Sequence, residues 1–130
     1  MLRFLCMSTV MFLLAGCSHP ISSAAPQQTT DGLLVTLTSG AAAHTGDNTL
    51  TFTLADAATG APVGNANITA TPDMRSPVMR GVNTSGRAQG NGLYNIPVRL
   101  AVATKYSLLL HIERPGHAAA DFAFPLEADQ

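Results

Sequence analysis

The stretch Thr49-Leu50-Thr51-Phe52-Thr53-Leu54 alternates without a break between threonine and a large apolar residue. Successive side chains of a strand point to opposite faces, so a period of two puts Leu50, Phe52 and Leu54 on one face and the three threonines on the other. On a helix the same residues would be scattered round the axis. The stretch therefore reads as a strand with one face in a core and one face in water.

The same parity recurs outward from it, in Leu33, Val35 and Leu37, in Ala66, Ile68 and Ala70, and in Tyr94, Ile96, Val98 and Leu100. Two further runs complete the set: Tyr106, Leu108, Leu110 and Ile112, then Ala120, Phe122, Phe124 and Leu126. Turn formers stand between them at Gly40, Gly46-Asp47-Asn48, Thr59-Gly60-Ala61-Pro62, Ser85-Gly86, Gly90-Asn91-Gly92 and Pro115-Gly116. No segment shows apolar residues at helical spacing. Regularly spaced short strands with no helices between them predict an all-β fold, an immunoglobulin-like antiparallel β-sandwich of about seven short strands.

The first 31 residues obey other rules. Arg3 precedes an almost uninterrupted apolar run from Phe4 to Leu14, which has the length of a secretory signal and is too short to span a bilayer as a stable helix. The run ends in Leu14-Ala15-Gly16-Cys17, which resembles the bacterial lipobox, where the cysteine thiol receives a diacylglycerol. Residues 1–16 are thus expected to be a lipoprotein signal peptide, with lipid, palmitate included, on Cys17. Residues 18–31 hold Pro20, Pro26 and a run of serine, glutamine and threonine, the composition of a flexible tether. The predicted division is 1–16 signal, 17–31 lipidated cysteine and tether, and 32–130 folded domain. Ser18 after the cysteine resembles the pattern of outer-membrane lipoproteins facing the periplasm.

Cys6 leaves with the signal and Cys17 carries lipid, so the fold has no thiol for a disulfide. Removing residues 1–16 takes away Arg3 and leaves six basic groups against eight acidic ones, a formal −2. That balance carries no nucleic-acid footprint. No G-x-S-x-G, H-E-x-x-H, C-x-x-C or phosphate-binding glycine loop occurs, and Asp121 and Glu127 read as separate solvated carboxylates. Catalysis is not expected.

The segment Thr71-Pro72-Asp73-Met74-Arg75-Ser76-Pro77-Val78-Met79-Arg80-Gly81 reads as a loop or irregular edge between strands, and it holds both methionines that survive signal removal. Thioethers are soft ligands that suit Cu(I) and need no deprotonation. Met74 and Met79, with a histidine from another loop such as His44 or His117, form a candidate copper site. Packing under an irregular loop is the commoner use of such methionines, since the side chain is flexible and polarizable. His19 falls in the tether, and His111 sits on the outer parity of its strand, where it is expected to titrate near its ordinary value. Arg75, Arg80 and Arg87 read as a solvated edge that discourages strand-to-strand aggregation.

Residues 47–116 resemble the YtkA-like domain family, which overlaps with FixH-like proteins. The resemblance is carried by Gly46-Asp47-Asn48-Thr49-Leu50-Thr51-Phe52, Asp56 to Ala66, the methionine segment, Gly92-Leu93-Tyr94, and Tyr106-Ser107-Leu108 through Arg114-Pro115-Gly116. It implies a small exported module associated with copper or other heavy-metal handling and envelope transport. The expectation is a membrane-anchored, non-catalytic envelope lipoprotein that handles metal. The alternative is an adaptor that docks an envelope transport or assembly partner through an exposed strand edge, with no metal.

Overall fold

Each alternating run becomes a strand, and short strands fill in round them. The computed structural model describes residues 26–40, 42–75 and 78–130. In chain order the strands are β1 (Gln27–Thr30), β2 (Leu33–Ser39), β3 (Ala42–His44), β4 (Gly46–Asp56), β5 (Asn67–Arg75), β6 (Val78–Arg80), β7 (Thr84–Ser85), β8 (Arg87–Gly90), β9 (Leu93–Leu100), β10 (Lys105–Glu113) and β11 (Ala120–Asp129). One sheet has the order β1-β2-β4-β9-β8 and the other β3-β11-β10-β5-β6, with β7 also paired to β5. Every pairing is antiparallel except β3 with β11. The all-β, immunoglobulin-like sandwich is as expected. Among the described residues eleven strands stand where about seven were expected, because β1, β3, β6, β7 and β8 span two to four residues each, too few for alternation to register.

The core holds the inward residues that parity identified, with Ala66 only partly buried, and adds Ala43, Met74 and Ala128 to them. Leu50, Phe52 and Leu54 are fully buried, as are Leu33, Val35 and Ile96 of their sheet and Ala70, Leu108 and Phe124 of the other. Phe52 and Phe124 meet edge to face across the interior, with ring centroids 5.2 Å apart and planes at 68°, so one aromatic pair joins the two sheets. A buried tyrosine secures a loop at each end. The Tyr94 hydroxyl donates to the Val63 carbonyl at 2.8 Å and accepts from the Ala66 N–H at 3.1 Å. The Tyr106 hydroxyl does the same for Val102, at 2.8 and 3.2 Å, in the turn between β9 and β10.

Two expectations need correction. The tether was expected to run to residue 31, but Gln27–Thr30 pairs antiparallel with β2. Asp31 and Gly32 both take positive φ, +50° and +74°, which is the two-residue hairpin turn that Asp-Gly favours. The Gln28 side chain adds a clip to the second sheet: its Nε2 donates to the Ala123 carbonyl and its Oε1 accepts from the Ala123 N–H. The methionine segment, expected as a loop or irregular edge, is largely an edge hairpin, since β5 runs through Met74 to Arg75 and β6, the last strand of its sheet, returns from Val78. Its inward parity simply continues through Ile68, Ala70, Pro72 and Met74, all buried.

Candidate functional site

The expected metal ligands do not converge. Met74 lies on the core face of β5, 8% exposed, among the inward residues of the second sheet. Met79 stands directly opposite it in the β5–β6 register, though its side chain lies outside the described residues, as does Cys17. His44 is exposed on β3, three strand spacings from β5 and hence roughly 14 Å away. His117 lies before β11, whereas His44 pairs with Asp129 near the end of that strand. At about 3.4 Å per residue, the length of β11 alone puts roughly 30 Å between the two histidines. The two histidines therefore stand at opposite ends of the sandwich and cannot serve one site together. Among the described residues, no three His, Cys, Asp or Glu side chains are grouped so as to hold a metal ion.

What Met74 does line is a small pocket. With Pro72, Gly81, Arg99, Ala101, Val102 and Tyr106 it borders a cavity of about 120 Å³ where the sheets part. Gly81 is required there: a Cβ would come within 2.5 Å of the Pro72 carbonyl oxygen, which accepts the Gly81 N–H at 2.8 Å.

The outer face of the β5–β10–β11 sheet carries a polar ladder that sequence reading missed. His111 pairs with Asp121 across β10–β11 and with Thr69 across β10–β5. Its Nδ1 lies 2.6 Å from Asp121 Oδ1 and its Nε2 lies 3.3 Å from Glu113 Oε1. A hydrogen bond to Asp121, then one to Glu113, favours the imidazolium and raises the His111 pKa above the usual histidine range. The expectation of ordinary titration is thus corrected. The signal was cross-strand register, which a single sequence does not print. With a carboxylate on each ring nitrogen, the charged ring donates twice and offers neither nitrogen as a base or ligand.

Two clefts run along this face and share Ala123. One of about 1020 Å³ is bordered by Lys105, Ser107, Pro125, Glu127 and Asp129, and one of about 570 Å³ by Thr69, Thr71, Asn83, Leu109 and the His111–Asp121 pair. Their floor is small or apolar and their rims are charged, a pattern suited to a docked surface more than to a reacting substrate. At the far end of the sandwich the Arg114 guanidinium, 9% exposed, donates from Nη2 to the Asp31 carbonyl at 3.3 Å. Nearby, Asp56 accepts from the backbone N–H groups of Thr59 and Ala58, which lowers its pKa, with Arg114 adding a smaller effect. These groups lock turns together.

No protein-family model matches this chain, and no curated protein matches it either.

Proposed function

We propose that this chain is a lipid-anchored protein of the bacterial cell envelope, held in the outer membrane facing the periplasm, whose immunoglobulin-like sandwich is non-catalytic and serves as an interaction module for an envelope transport or assembly complex. The observation that carries the proposal is the short link between anchor and fold: β1 begins at Gln27, ten residues after Cys17. Lipid on that cysteine would hold the sandwich at the bilayer, because two or more acyl chains bind firmly where a single one binds marginally. The polar groups support the non-catalytic part, since His111 is engaged by carboxylates on both sides and Arg114 and Asp56 are spent on turns. The test is metabolic labelling with palmitate. The wild-type chain is expected to carry label in the membrane fraction, and Cys17→Ser to lose it; an unlabelled wild-type chain would sink the anchor.

One observation favours a second reading, soft-metal handling as the YtkA-like resemblance implies. The β5–β6 register sets Met74 and Met79 opposite each other, an arrangement that the five-residue spacing alone did not reveal. A Cu(I) titration against a competing chelator decides it, with Met74→Leu, Met79→Leu as the control because leucine keeps the core filled. Stoichiometric binding that the double variant loses supports copper handling, and no competitive binding by the wild type ends that reading.

A further inference from the structure

Charge is segregated along this chain. From Arg75 to Lys105 there are five basic residues and no acidic one, while all eight carboxylates lie outside that span. The fold gathers the span as far as Leu100 onto one edge, since it supplies β6, β7, β8 and β9, the strands that lie at the same side of the two sheets, while Lys105 begins β10. Arg75, Arg80, Arg87 and Arg99 occupy positions on that edge, against Asp73 opposite Arg80 and Asp47 opposite Arg99 in register. Counted by position along the backbone, four arginines stand there against two aspartates, although the chain as a whole is acidic.

On the same edge β8 stops early. It pairs with β9 only as far as Asn95, opposite Arg87, while β9 runs on to Leu100. The Leu54 N–H donates to the Gly92 carbonyl, so even-numbered β9 residues turn their backbone groups toward β4, and Pro97 and Arg99 turn theirs outward. Beside this uncovered backbone lies a groove of about 500 Å³ whose opposite wall is Gly81–Thr84 and whose charged lining is Arg99 and Asp47, and it adjoins the pocket beneath Met74 through the shared residues Gly81, Arg99 and Ala101. Val82, 86% exposed, and Val102, 47% exposed, flank it, and they are two of the three large apolar residues exposed among the described residues.

We infer that this edge is a docking groove for an extended, acidic segment of a partner protein. The inference rests on the interaction-module reading and adds to it where the partner binds and what chemistry it brings. An extended segment can bond to the outward Arg99 N–H and the outward carbonyls, place apolar side chains on Val82 and Val102, and set carboxylates against Arg87 and Arg99. A bilayer carrying anionic headgroups offers the same charge, but the tether argues against it. The chain leaves the sandwich at β1, four strand spacings from β8 and hence roughly 19 Å across the sheet. Ser18 to Pro26 are nine residues, and a random coil of that length spans roughly 17 Å on average. The chain thus enters at the edge opposite the groove, and lipid on Cys17 would leave the groove facing away from the bilayer.

The test uses the chain from Ser18 onward, which keeps every strand and every buried core residue. The probes are a synthetic peptide of alternating glutamate and valine, its lysine counterpart, and phosphatidylglycerol vesicles. The acidic peptide is expected to bind, to shift backbone amides of residues 81–84 and 98–102, and to lose about tenfold in affinity with Val82→Glu, Arg99→Glu, an exposed pair whose replacement leaves the core intact. Equal binding of the lysine peptide, amide shifts centred elsewhere, Arg99-dependent binding to vesicles instead, or self-association through this edge would each overturn the groove. Photo-crosslinkers at Val82 and at Leu109 in the lipid-anchored protein separate the two levels of argument. Adducts from Val82 with an acidic segment support the groove, adducts from Leu109 alone overturn it but keep the module, and adducts from neither overturn both.

Discussion

His111 shows how one side chain takes its properties from strands that are distant in sequence. Its pKa is raised by Asp121 on the next strand and Glu113 on its own, so the stabilisation from this cluster is complete below the ordinary histidine value and fades as pH rises through the folded value. A proton NMR titration should therefore place His111 above the usual range and bring it down in Asp121→Asn. The thermal-midpoint advantage over His111→Gln should be largest in mild acid and vanish in alkali; an advantage that grows with pH would contradict the geometry. Gly92 is a second residue-scale case. It holds φ at +75°, and a Cβ there would come within 2.5 Å of the Leu54 carbonyl oxygen. Left-handed backbone alone costs an alanine about 1–2 kcal/mol, so Gly92→Ala should lower the unfolding free energy by at least that much, read as a lower denaturant midpoint at an unchanged slope. An unchanged midpoint would show that the turn can rearrange.

At the scale of elements, the methionine segment separates what periodicity can read from what it cannot. Parity through Ala66, Ile68 and Ala70 was legible, yet its continuation through Pro72 and Met74 was masked because proline interrupts the strand signature and methionine is a weak β-former. Burial predicts the outcome of substitution. Met74→Ala should cost about 2–5 kcal/mol by urea denaturation, while Met74→Leu should cost less than about 1.5 kcal/mol. Equal, small effects would place Met74 at the surface and revive its reading as a free ligand. The strand β1 teaches a related lesson. Four polar residues carry no hydrophobic pattern, and only the Asp31-Gly32 turn that follows them announced a hairpin. The strand then depends on β2 and on the Gln28 clip to Ala123, contacts that exist only once both sheets are in place.

For the whole molecule, stability rests on one core shared by both sheets. No cysteine follows Cys17, so the thermal midpoint of the chain from Ser18 onward should be unchanged by reductant, and its unfolding should be a single transition, as expected for one small domain. A second transition or a reductant-dependent midpoint would argue for separable parts. The distribution of charge also belongs to this scale. Arg75, Arg80 and Arg87 were legible as a local basic run, but the edge they share with Arg99 exists only because β6 and β9 lie at the same side of different sheets.

The sequence by itself determined the fold class, the inward face of every long strand and the turns between them, because period-two alternation and positive-φ residues are local properties written in neighbouring positions. It also set an apolar run, Phe4 to Leu14, before Cys17. Tertiary structure alone decided that Met74 is core, that His44 and His117 stand at opposite ends of β11, that His111 meets Asp121, and that one edge carries an open groove. Those facts depend on which strand lies beside which and in what register. Register comes from the fit of two whole sheets around Phe52 and Phe124, a non-local sum that no single stretch of sequence contains.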